Sequence, residues 1–246
     1  MHAYLVEMLN ISKHFGGVKA LDNVEMRIKH NEIVGLVGDN GAGKSTLIKI
    51  LAGVYPSDGG EVRFDGAKVE INNPRDAKKL GIETVYQELA LAPNIGASQN
   101  VFLGREIFKP HFGKWLGVLD NKTMNSECVR LLESLSIDIG SVKKRVDNLS
   151  GGQRQSVAIA KTLYSKPRLL IMDEPTTAIS VKERKRVLDL MRELSQRGIS
   201  IIFISHTLQE IFSVAQRVVV LRKGSKIAEK IVQETTIDEV IRLMVG

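Results

Sequence analysis

The sequence predicts an α/β fold: a mainly parallel sheet flanked by helices, with an N-terminal antiparallel β subdomain and an inserted α-helical subdomain. Three near-continuous apolar runs, at 32–38, 168–173 and 199–205, have the composition of strands buried on both faces. An amphipathic helical pattern separates the last two, and strand–helix–strand order is typical of parallel βαβ units. The 246 residues, 43% of them hydrophobic, suffice for one large domain with its own core.

The first third of the chain predicts an antiparallel β region followed by the start of the core. Short β-like segments open it, namely "YLVEMLNIS", "VEMRIK" and, after a Gly-Gly turn, "EVRFDG". The run "EIVGLVG" (32–38) is the first buried strand. It leads into a Gly-rich loop, after which "TLIKILAG" predicts a helix that ends at Gly53.

The middle of the chain differs from the rest. Residues 94–165 contain helix-like patterns such as "CVRLLESLSI" and "QSVAIAKTLY" and no convincing strand. We therefore expect a helical subdomain at about 94–165, inserted into a core formed by about 1–93 and 166–246. In the second part of that core, "RVVVLRKGSKIAE" (217–229) predicts a hairpin that turns at Lys223–Gly224. One helix face between the last two buried strands is marked by Val187, Leu188, Leu190, Met191 and Leu194.

Composition narrows the functional classes. Cys128 is the only cysteine, so no disulfide framework exists and a reducing cytosol is the expected compartment. No apolar run approaches the ~18 residues of a membrane-spanning helix, and the N-terminal "MHAYLVEMLN" lacks the regions of a secretory signal. Aromatic residues, at 5%, are too few for a single-strand nucleic-acid platform. The net charge of +7 is compatible with an anionic partner, but charge alone favours the interpretation as a solvated basic surface.

The segment "GDNGAGKS", which we call the phosphate loop (38–45), matches G-x-x-x-x-G-K-[ST] between a strand and a helix. Its glycines let the backbone approach phosphates, and its amides and the following helix N-terminus supply positive potential. Lys44 would neutralise the β- and γ-phosphates, and the Ser45 hydroxyl would bind Mg²⁺. A Gly-rich turn with a surface lysine is the structural alternative, and the G-x-x-G-x-G spacing excludes a dinucleotide-binding motif. The candidate nucleotide-binding residues here are Gly38, Asp39, Asn40, Gly41, Ala42, Gly43, Lys44, Ser45 and Thr46.

Two adjacent acids end the buried strand "RLLIMD". A strand that ends in Asp beside a phosphate loop is how such folds hold Mg²⁺, so Asp173 is the candidate metal-side acid. Glu174 follows it and is the candidate group that acts on the attacking water. Taken alone, either carboxylate would be read as a surface or helix-terminal acid, and it is the phosphate loop that favours the functional interpretation.

A second anion-binding element is predicted at "NLSGGQRQSVAIAK" (148–161). Ser150, Gly151 and Gly152 stand just before a helix and offer a hydroxyl and closely approachable amides to a phosphate. The same residues are also what an ordinary helix N-cap without a ligand requires. The residue pattern alone leaves both interpretations open.

Three motifs in this order, the phosphate loop, "LSGGQ" (149–153, here the signature loop) and "LLIMDE" (169–174), make the sequence similar to the nucleotide-binding subunits of ABC transporters. The similarity covers essentially the whole chain and implies a P-loop NTPase core, with ATP and Mg²⁺ as cofactors. It also implies that two ATP molecules are sandwiched between two head-to-tail subunits. The signature loop, including Gln153, would then face the phosphate loop of the second subunit.

The resemblance implies roles for three more residues. Gln87, after "IETVY", corresponds to the glutamine that contacts Mg²⁺ and the attacking water, which makes Ser45, Gln87 and Asp173 the candidate metal ligands. His206, in "FISH", corresponds to the histidine that contacts the γ-phosphate, so the candidate catalytic set is Glu174, His206 and Gln87. Phe15 corresponds to the aromatic residue that stacks on adenine. Outside the family these would be a strand-end polar residue, a structural histidine and a core phenylalanine.

Two further stretches resemble the ribose-, xylose- and fructose-type sugar importers: "QELALAPNIGASQNVFLGRE" (87–106) and "EPTTAISVKE" (174–183). The resemblance implies an ATPase that powers a bacterial sugar importer through ATP-driven dimer closure, peripheral on the cytoplasmic face of the cell membrane. The implied partners are a second nucleotide-binding subunit, membrane permease subunits and, indirectly, a solute-binding protein, with no nucleic acid. The second subunit is expected to be another copy of this chain, with a different ATPase chain as the alternative.

The sequence departs from the family pattern at three points. It carries one nucleotide-binding domain, whereas sugar importers of this type often carry two in tandem. Ser156 stands where many relatives have Arg, and a loosened ion pair without an effect on the phosphate is expected there. Ser180 stands where the family usually has Asp, in a loop that communicates across the dimer. We expect Ser180 to alter coupling between the two sites without loss of hydrolysis.

Other functions remain open at the level of sequence. An ABC-type ATPase acting in DNA repair or translation would suit the basic charge, although such proteins usually carry long insertions or tandem cassettes. An importer ATPase for a solute other than a sugar is a second alternative. A phosphate-loop kinase of a small metabolite fits poorly because it leaves the signature loop without a role.

Overall fold

The computed structural model describes residues 2–110, 115–177 and 179–246. Within these ranges the chain forms two compact units. The first contains the chain up to Gln87 together with Pro167–Thr176 and Lys185–Gly246, and the second contains Glu88–Lys166 and Thr177–Arg184. The expectation of a core at 1–93 and 166–246 with a helical subdomain at 94–165 stays a prediction.

The first unit contains a four-stranded antiparallel sheet, which confirms the predicted N-terminal β subdomain. Its spatial order is β2-β1-β4-β5. The strands are β1 (Tyr4–Phe15), β2 (Val18–Lys29), β4 (Gly59–Phe64) and β5 (Ala67–Val69). Alternating buried and half-buried residues in β1 and β2 place one face of this sheet on the core, as expected for antiparallel strands.

A six-stranded sheet forms the centre of the first unit, in the order β10-β9-β3-β8-β7-β6. Its strands are β3 (Ile33–Val37), β6 (Ile82–Val85), β7 (Leu169–Asp173), β8 (Ser200–Ile204), β9 (Arg217–Arg222) and β10 (Ser225–Ile231). All neighbours pair in parallel except β9 and β10, which form the predicted hairpin. Every residue of β3 and β8 is buried, which confirms the interpretation of the apolar runs as central strands.

Helices complete both units. They are α1 (Lys44–Leu51), α2 (Pro74–Lys79), α3 (Ala97–Val101), α4 (Asn121–Ser134), α5 (Gly151–Leu163), α6 (Val181–Gln196), α7 (Leu208–Val214) and α8 (Ile237–Val245). The sequence patterns did not predict α2 or α8. The six-residue α2 is too short for a periodic pattern and begins because Asn73 caps it and Pro74 fits its first turn. In the part of the chain that the structure describes, no helix is long and apolar enough to cross a membrane.

The sheet topology places the candidate active-site segments at one edge. Strands β3, β8, β7 and β6 are parallel neighbours, so their carboxyl ends lie on the same side of the sheet. The phosphate loop follows β3, Asp173 ends β7, and His206 and Gln87 come two residues after β8 and β6. Ligands of open parallel sheets bind at this carboxyl edge.

Candidate active site

The phosphate loop holds a backbone path that requires glycine at two positions. Gly38 has φ 154°, and a Cβ there would lie 2.3 Å from the carbonyl oxygen of Leu221. Gly43 has φ 103°, and a Cβ there would lie 2.9 Å from the carbonyl oxygen of Ala20. Because a side chain at either position would collide with backbone, the loop can wrap closely only with glycine.

The end of this loop is the N-terminus of α1. Gly43 is its N-cap and provides no side-chain hydrogen bond, so the first-turn amides are left for another acceptor. The Lys44 ammonium group donates to the carbonyl oxygens of Gly38 at 2.7 Å and Asp39 at 3.0 Å. Burial lowers the pKa of Lys44, against the opposing effect of nearby carboxylates, of which Glu174 contributes most. A cation and open amides thus converge within one short segment, as phosphate binding requires.

Asp173 is half-buried at the end of β7. Burial raises the pKa of its carboxyl group, the neighbouring charge of Glu174 raises it further, and Lys49, Lys44 and His206 act in the opposite direction. A carboxylate held in this state gains from a cation placed beside it. Asp173 and the exposed Ser45 hydroxyl are oxygen donors of the kind that Mg²⁺ prefers, and Mg²⁺ commonly uses only one or two protein ligands.

That small number of ligands agrees with a second finding. Among the described residues no group of three or more His, Cys, Asp or Glu side chains could hold a metal ion by itself. In nucleotide sites, phosphate oxygens are the further ligands that Mg²⁺ commonly takes.

Glu174 and His206 form a pair at this edge. Glu174 Oε1 and His206 Nε2 are 2.5 Å apart, and the glutamate side chain is 11% exposed whereas the histidine is 55% exposed. The pair joins the ends of β7 and β8, and the Glu174 amide also donates to the carbonyl oxygen of Ile204 at 2.9 Å. Glu174 has φ 52°, in the left-handed region that costs a non-glycine residue free energy and that recurs at active sites.

A buried network that the sequence patterns did not identify lies next to this pair. Glu210, 5% exposed on α7, accepts hydrogen bonds at Oε2 from Thr176 Oγ1 at 2.6 Å and Ser205 Oγ at 2.8 Å. Thr176 lies two residues after Glu174, and Ser205 directly precedes His206. The two hydroxyl partners of Glu210 lie 34 and 5 residues away in the sequence, so no periodic pattern indicated this network.

Gln87 lies at the same edge, after β6. It is exposed, and parallel pairing of Val85 with Met172 places β6 directly beside the strand that ends in Asp173. Tyr86 was not identified from the sequence. Burial raises its pKa, and the charge of Asp173 contributes to the increase, so its hydroxyl stays protonated near the candidate metal-side acid.

Phe15 ends β1 and is 43% exposed, which rules out the alternative of a core phenylalanine. Its ring packs edge-on against Tyr55, with centroids 5.2 Å apart and an interplanar angle of 72°. Lys13 Nζ lies 5.6 Å from the Phe15 centroid, and Lys49 Nζ lies 5.6 Å from the Tyr55 centroid. The exposed Phe15 ring, packed against Tyr55, therefore offers a surface on which the planar adenine base could stack.

The signature loop belongs to the second unit and is described separately. Ser150 is the N-cap of α5: its Oγ accepts from the Gln153 amide at 3.2 Å, and the Gln153 side chain accepts from the Ser150 amide at 3.1 Å. Gly151 and Gly152 form the first turn of this 13-residue helix. Ser150 therefore caps α5, and the anion-binding interpretation stays a prediction, since a capped helix N-terminus also retains positive potential for an anion.

Comparison with known proteins adds a family relationship to this geometry. Residues 21–177 match the family model described as ABC transporter. The xylose/arabinose import ATP-binding protein of Sulfolobus acidocaldarius is 45% identical over 98% of this chain and 93% of that protein. The xylose import ATP-binding protein of Thermoanaerobacter pseudethanolicus is 44% identical over all of this chain and 48% of its own length. The chain thus spans about half of that second relative.

Solved structures agree with the fold. An ATP-binding cassette of an ABC transporter in its ADP conformation superposes with a TM-score of 0.85 at 24% identity, with 100% of both chains covered. A dimeric post-hydrolysis state of another cassette, bound to ADP and Pi, gives a TM-score of 0.77 at 27% identity over 94% of this chain. This second superposition covers 100% of the chain of that cassette.

Proposed function

The chain belongs to the ABC transporter family of ATPases, and from this premise we propose that it is the subunit that powers a sugar importer. The observation that carries the residue assignments is the meeting of the phosphate loop, Asp173, Glu174 and His206 at the carboxyl edge of one parallel sheet. As an ATPase of this family the protein binds ATP, and the individual roles below are our assignments.

ATP binding uses the phosphate loop and the N-terminus of α1. The open amides of residues 38–45 surround the β- and γ-phosphates, and Lys44 exchanges its two carbonyl acceptors for phosphate oxygens. Asp173, Ser45 and Gln87 would hold Mg²⁺, which supplies charge neutralisation on the phosphates when bound. The adenine ring stacks on the exposed face of Phe15.

Hydrolysis uses the pair formed by Glu174 and His206. Glu174 orients the attacking water and accepts its proton as the water oxygen bonds to the γ-phosphorus, while the bond to the ADP oxygen breaks in line. His206 is held in place by its contact with Glu174. It donates a hydrogen bond to the γ-phosphate and stabilises the negative charge on the phosphate oxygens in the transition state. The left-handed backbone conformation at Glu174 costs free energy, and this cost accompanies the position of its carboxylate beside His206.

Two copies of the chain act together. In a head-to-tail dimer the signature loop of one copy binds the γ-phosphate held by the phosphate loop of the other, which gives each chain's two anion-binding elements a use. The dimeric cassette with ADP and Pi supports this arrangement. ATP closes the dimer because its γ-phosphate contacts both subunits, and hydrolysis reopens it.

Import of a sugar is the coupled process. The relatives named above are xylose/arabinose and xylose import ATP-binding proteins, which favours a sugar over the other classes considered from sequence. The protein would bind membrane permease subunits from the cytoplasmic side, and a solute-binding protein would deliver the sugar to them. Recovery with ribosomes or DNA and without a co-expressed permease would reject this assignment.

The test of the hydrolytic assignment is Glu174→Gln in the purified protein. We expect turnover with ATP and Mg²⁺ to fall by about 10²-fold or more, since proton transfer contributes roughly 10²–10⁴-fold in such steps. ATP affinity should be retained because the phosphate loop is unchanged. The matched control, Glu70→Gln, removes an exposed carboxylate of the same unit and should leave turnover unaffected. Near-normal turnover in Glu174→Gln would show that the assigned role is wrong.

A further inference from the structure

The N-terminus of α5 already holds an anion from the same chain. Ser150 Oγ donates to Glu183 Oε1 at 3.2 Å. The carboxyl group also lies against Gly152, where an added Cβ would be 2.1 Å from Glu183 Oε1. Glu183 therefore occupies the same hydroxyl and helix terminus that the sequence predicted for a phosphate.

Glu183 is held from its other side by Ser180. Glu183 Oε2 accepts from the Ser180 amide at 3.0 Å and from Ser180 Oγ at 2.9 Å, and Ser180 Oγ accepts from the Glu183 amide at 3.3 Å. These reciprocal bonds form a capping box at the start of α6. One carboxylate thus links the first turns of two helices, α5 and α6.

The electrostatics agree with an occupied anion site. The pKa of Glu183 is lowered, first by the hydrogen bonds from Ser180 and further by those from Ser150 and the Gly152 amide. A charged carboxylate at a helix N-terminus is the state that the helix dipole and the amides stabilise. It also presents negative charge to any second anion that approaches the same residues.

We propose that Glu183 is an internal ligand of the signature loop, which occupies the loop in the nucleotide-free protein and leaves when the γ-phosphate of ATP enters from the other subunit. Displacement presupposes the ATP-bound dimer proposed above. Closure then includes the free energy of releasing Glu183, so this carboxylate raises the ATP concentration that the dimer needs. The contact is an autoinhibitory device that sets the ATP threshold of closure.

The same contact explains why serine occupies position 180. The Ser180 hydroxyl can cap α6 and still donate to Glu183 Oε2. An aspartate would cap the helix equally well but would place a second carboxylate at hydrogen-bond distance from the first. Ser180 and Glu183 therefore act as a pair, and aspartate at 180 would expel Glu183 from the signature loop.

The test measures ATP-driven dimerisation in the hydrolysis-deficient Glu174→Gln protein. Analytical ultracentrifugation over a range of ATP concentrations gives the midpoint of dimer formation. Adding Glu183→Gln should lower that midpoint about fivefold, because the neutral amide keeps the capping box but loses its charge-assisted hold on the helix terminus. Adding Ser180→Asp in place of Glu183→Gln should also lower the midpoint, because the new carboxylate would expel Glu183 from the signature loop.

The matched control is Glu193→Gln, which removes a carboxylate from the same helix. Glu193 lies 2.5 Å from Arg197 on an exposed face, and its loss should leave the midpoint unchanged. If the Glu174→Gln protein dimerises with ATP but the added Glu183→Gln leaves the midpoint unchanged or raises it, the proposed displacement of Glu183 is wrong. If the Glu174→Gln protein binds ATP yet stays monomeric, the proposed dimer is wrong, and the displacement of Glu183 that depends on it is wrong as well.

Discussion

Asp173 illustrates how a functional residue can weaken the fold that carries it. Its pKa is raised in the folded protein, chiefly by burial and then by Glu174. A carboxyl group whose folded pKa lies above its unfolded value stabilises the fold only while protonated. Its contribution is present at low pH and is lost as the pH rises through the folded pKa.

Asp173→Asn should therefore stabilise the protein without nucleotide and Mg²⁺ at neutral pH. We expect a gain of about 0.5–2 kcal/mol in the free energy of unfolding, the usual scale for relief of an active-site group. The gain should shrink as the pH falls through the raised folded pKa of this carboxyl group, and should vanish below the ordinary pKa of an aspartate, where the folded and unfolded forms are both protonated. Urea denaturation at several pH values, with MgATPase activity measured alongside, checks both the gain and the expected loss of turnover.

Asp58 provides a control of opposite sign. Its pKa is lowered by the hydrogen bond from Lys13 and then by that from the His14 amide. A group with a depressed folded pKa stabilises the fold above its unfolded pKa and loses that effect as the pH falls. Asp58→Asn should thus be destabilised at neutral pH, and matching effects from both variants would contradict this account of Asp173.

Among elements, α7 carries a residue that links the segments after β7 and β8. Glu210 on this helix receives hydrogen bonds from Thr176, beyond Glu174, and from Ser205, before His206. Through these two hydrogen bonds it acts on the backbone that carries the two assigned catalytic residues. Glu210 is therefore a positioning residue that fixes the distance between the ends of β7 and β8.

Glu210→Gln should lower kcat for ATP by roughly tenfold or more with little change in KM, since small displacements of reacting groups are costly and the phosphate loop is untouched. The free energy of unfolding should fall by about 1–3 kcal/mol because both buried hydroxyls exchange a charged carboxylate acceptor for a weaker, neutral amide oxygen. Steady-state kinetics well below the melting temperature separates the two effects. Glu239→Gln, an exposed partner of Lys230, should change neither constant, and a KM effect equal to the kcat effect would contradict positioning.

Sequence patterns predicted elements well where burial alone specifies them. The runs that became β3, β7 and β8 are apolar throughout because both faces of a central parallel strand are covered. The four residues of β6 and the six of α2 are too few to carry a period. Pairing with β7 forms β6, and the Asn73 cap with Pro74 begins α2. The phosphate loop was predictable because its glycines serve a local backbone path.

Contacts between distant segments could not be read in the same way. Glu174 and His206 are adjacent only because β7 and β8 are neighbours in register, with Asp173 paired to Ile204. Glu183 meets Ser150 because α5 and α6 begin side by side, which no periodicity in either helix encodes. Ser180 was recognised as unusual from the sequence, but its physical partner became evident only in the structure.

At the scale of the whole molecule, the proposed dimer would build each ATP site from elements of both chains. The phosphate loop, Asp173, Glu174 and His206 belong to the first unit, and the signature loop belongs to the second. In a two-fold symmetric dimer, the two ATP sites each combine one phosphate loop with the signature loop of the other copy. Defects in the two elements should consequently complement each other when they lie on different chains.

The most direct measurement of this central claim is the ATPase activity of a mixture of Lys44→Ala and Gly151→Asp chains. Gly151 is the first residue of α5, where aspartate suits the helix but repels a phosphate. Each variant alone should be inactive. An equal mixture should recover roughly a quarter of the activity, because half of the dimers are mixed and each has one intact site. If the mixture shows no more ATPase activity than either variant alone, the proposal of an ATP site shared between two chains is contradicted.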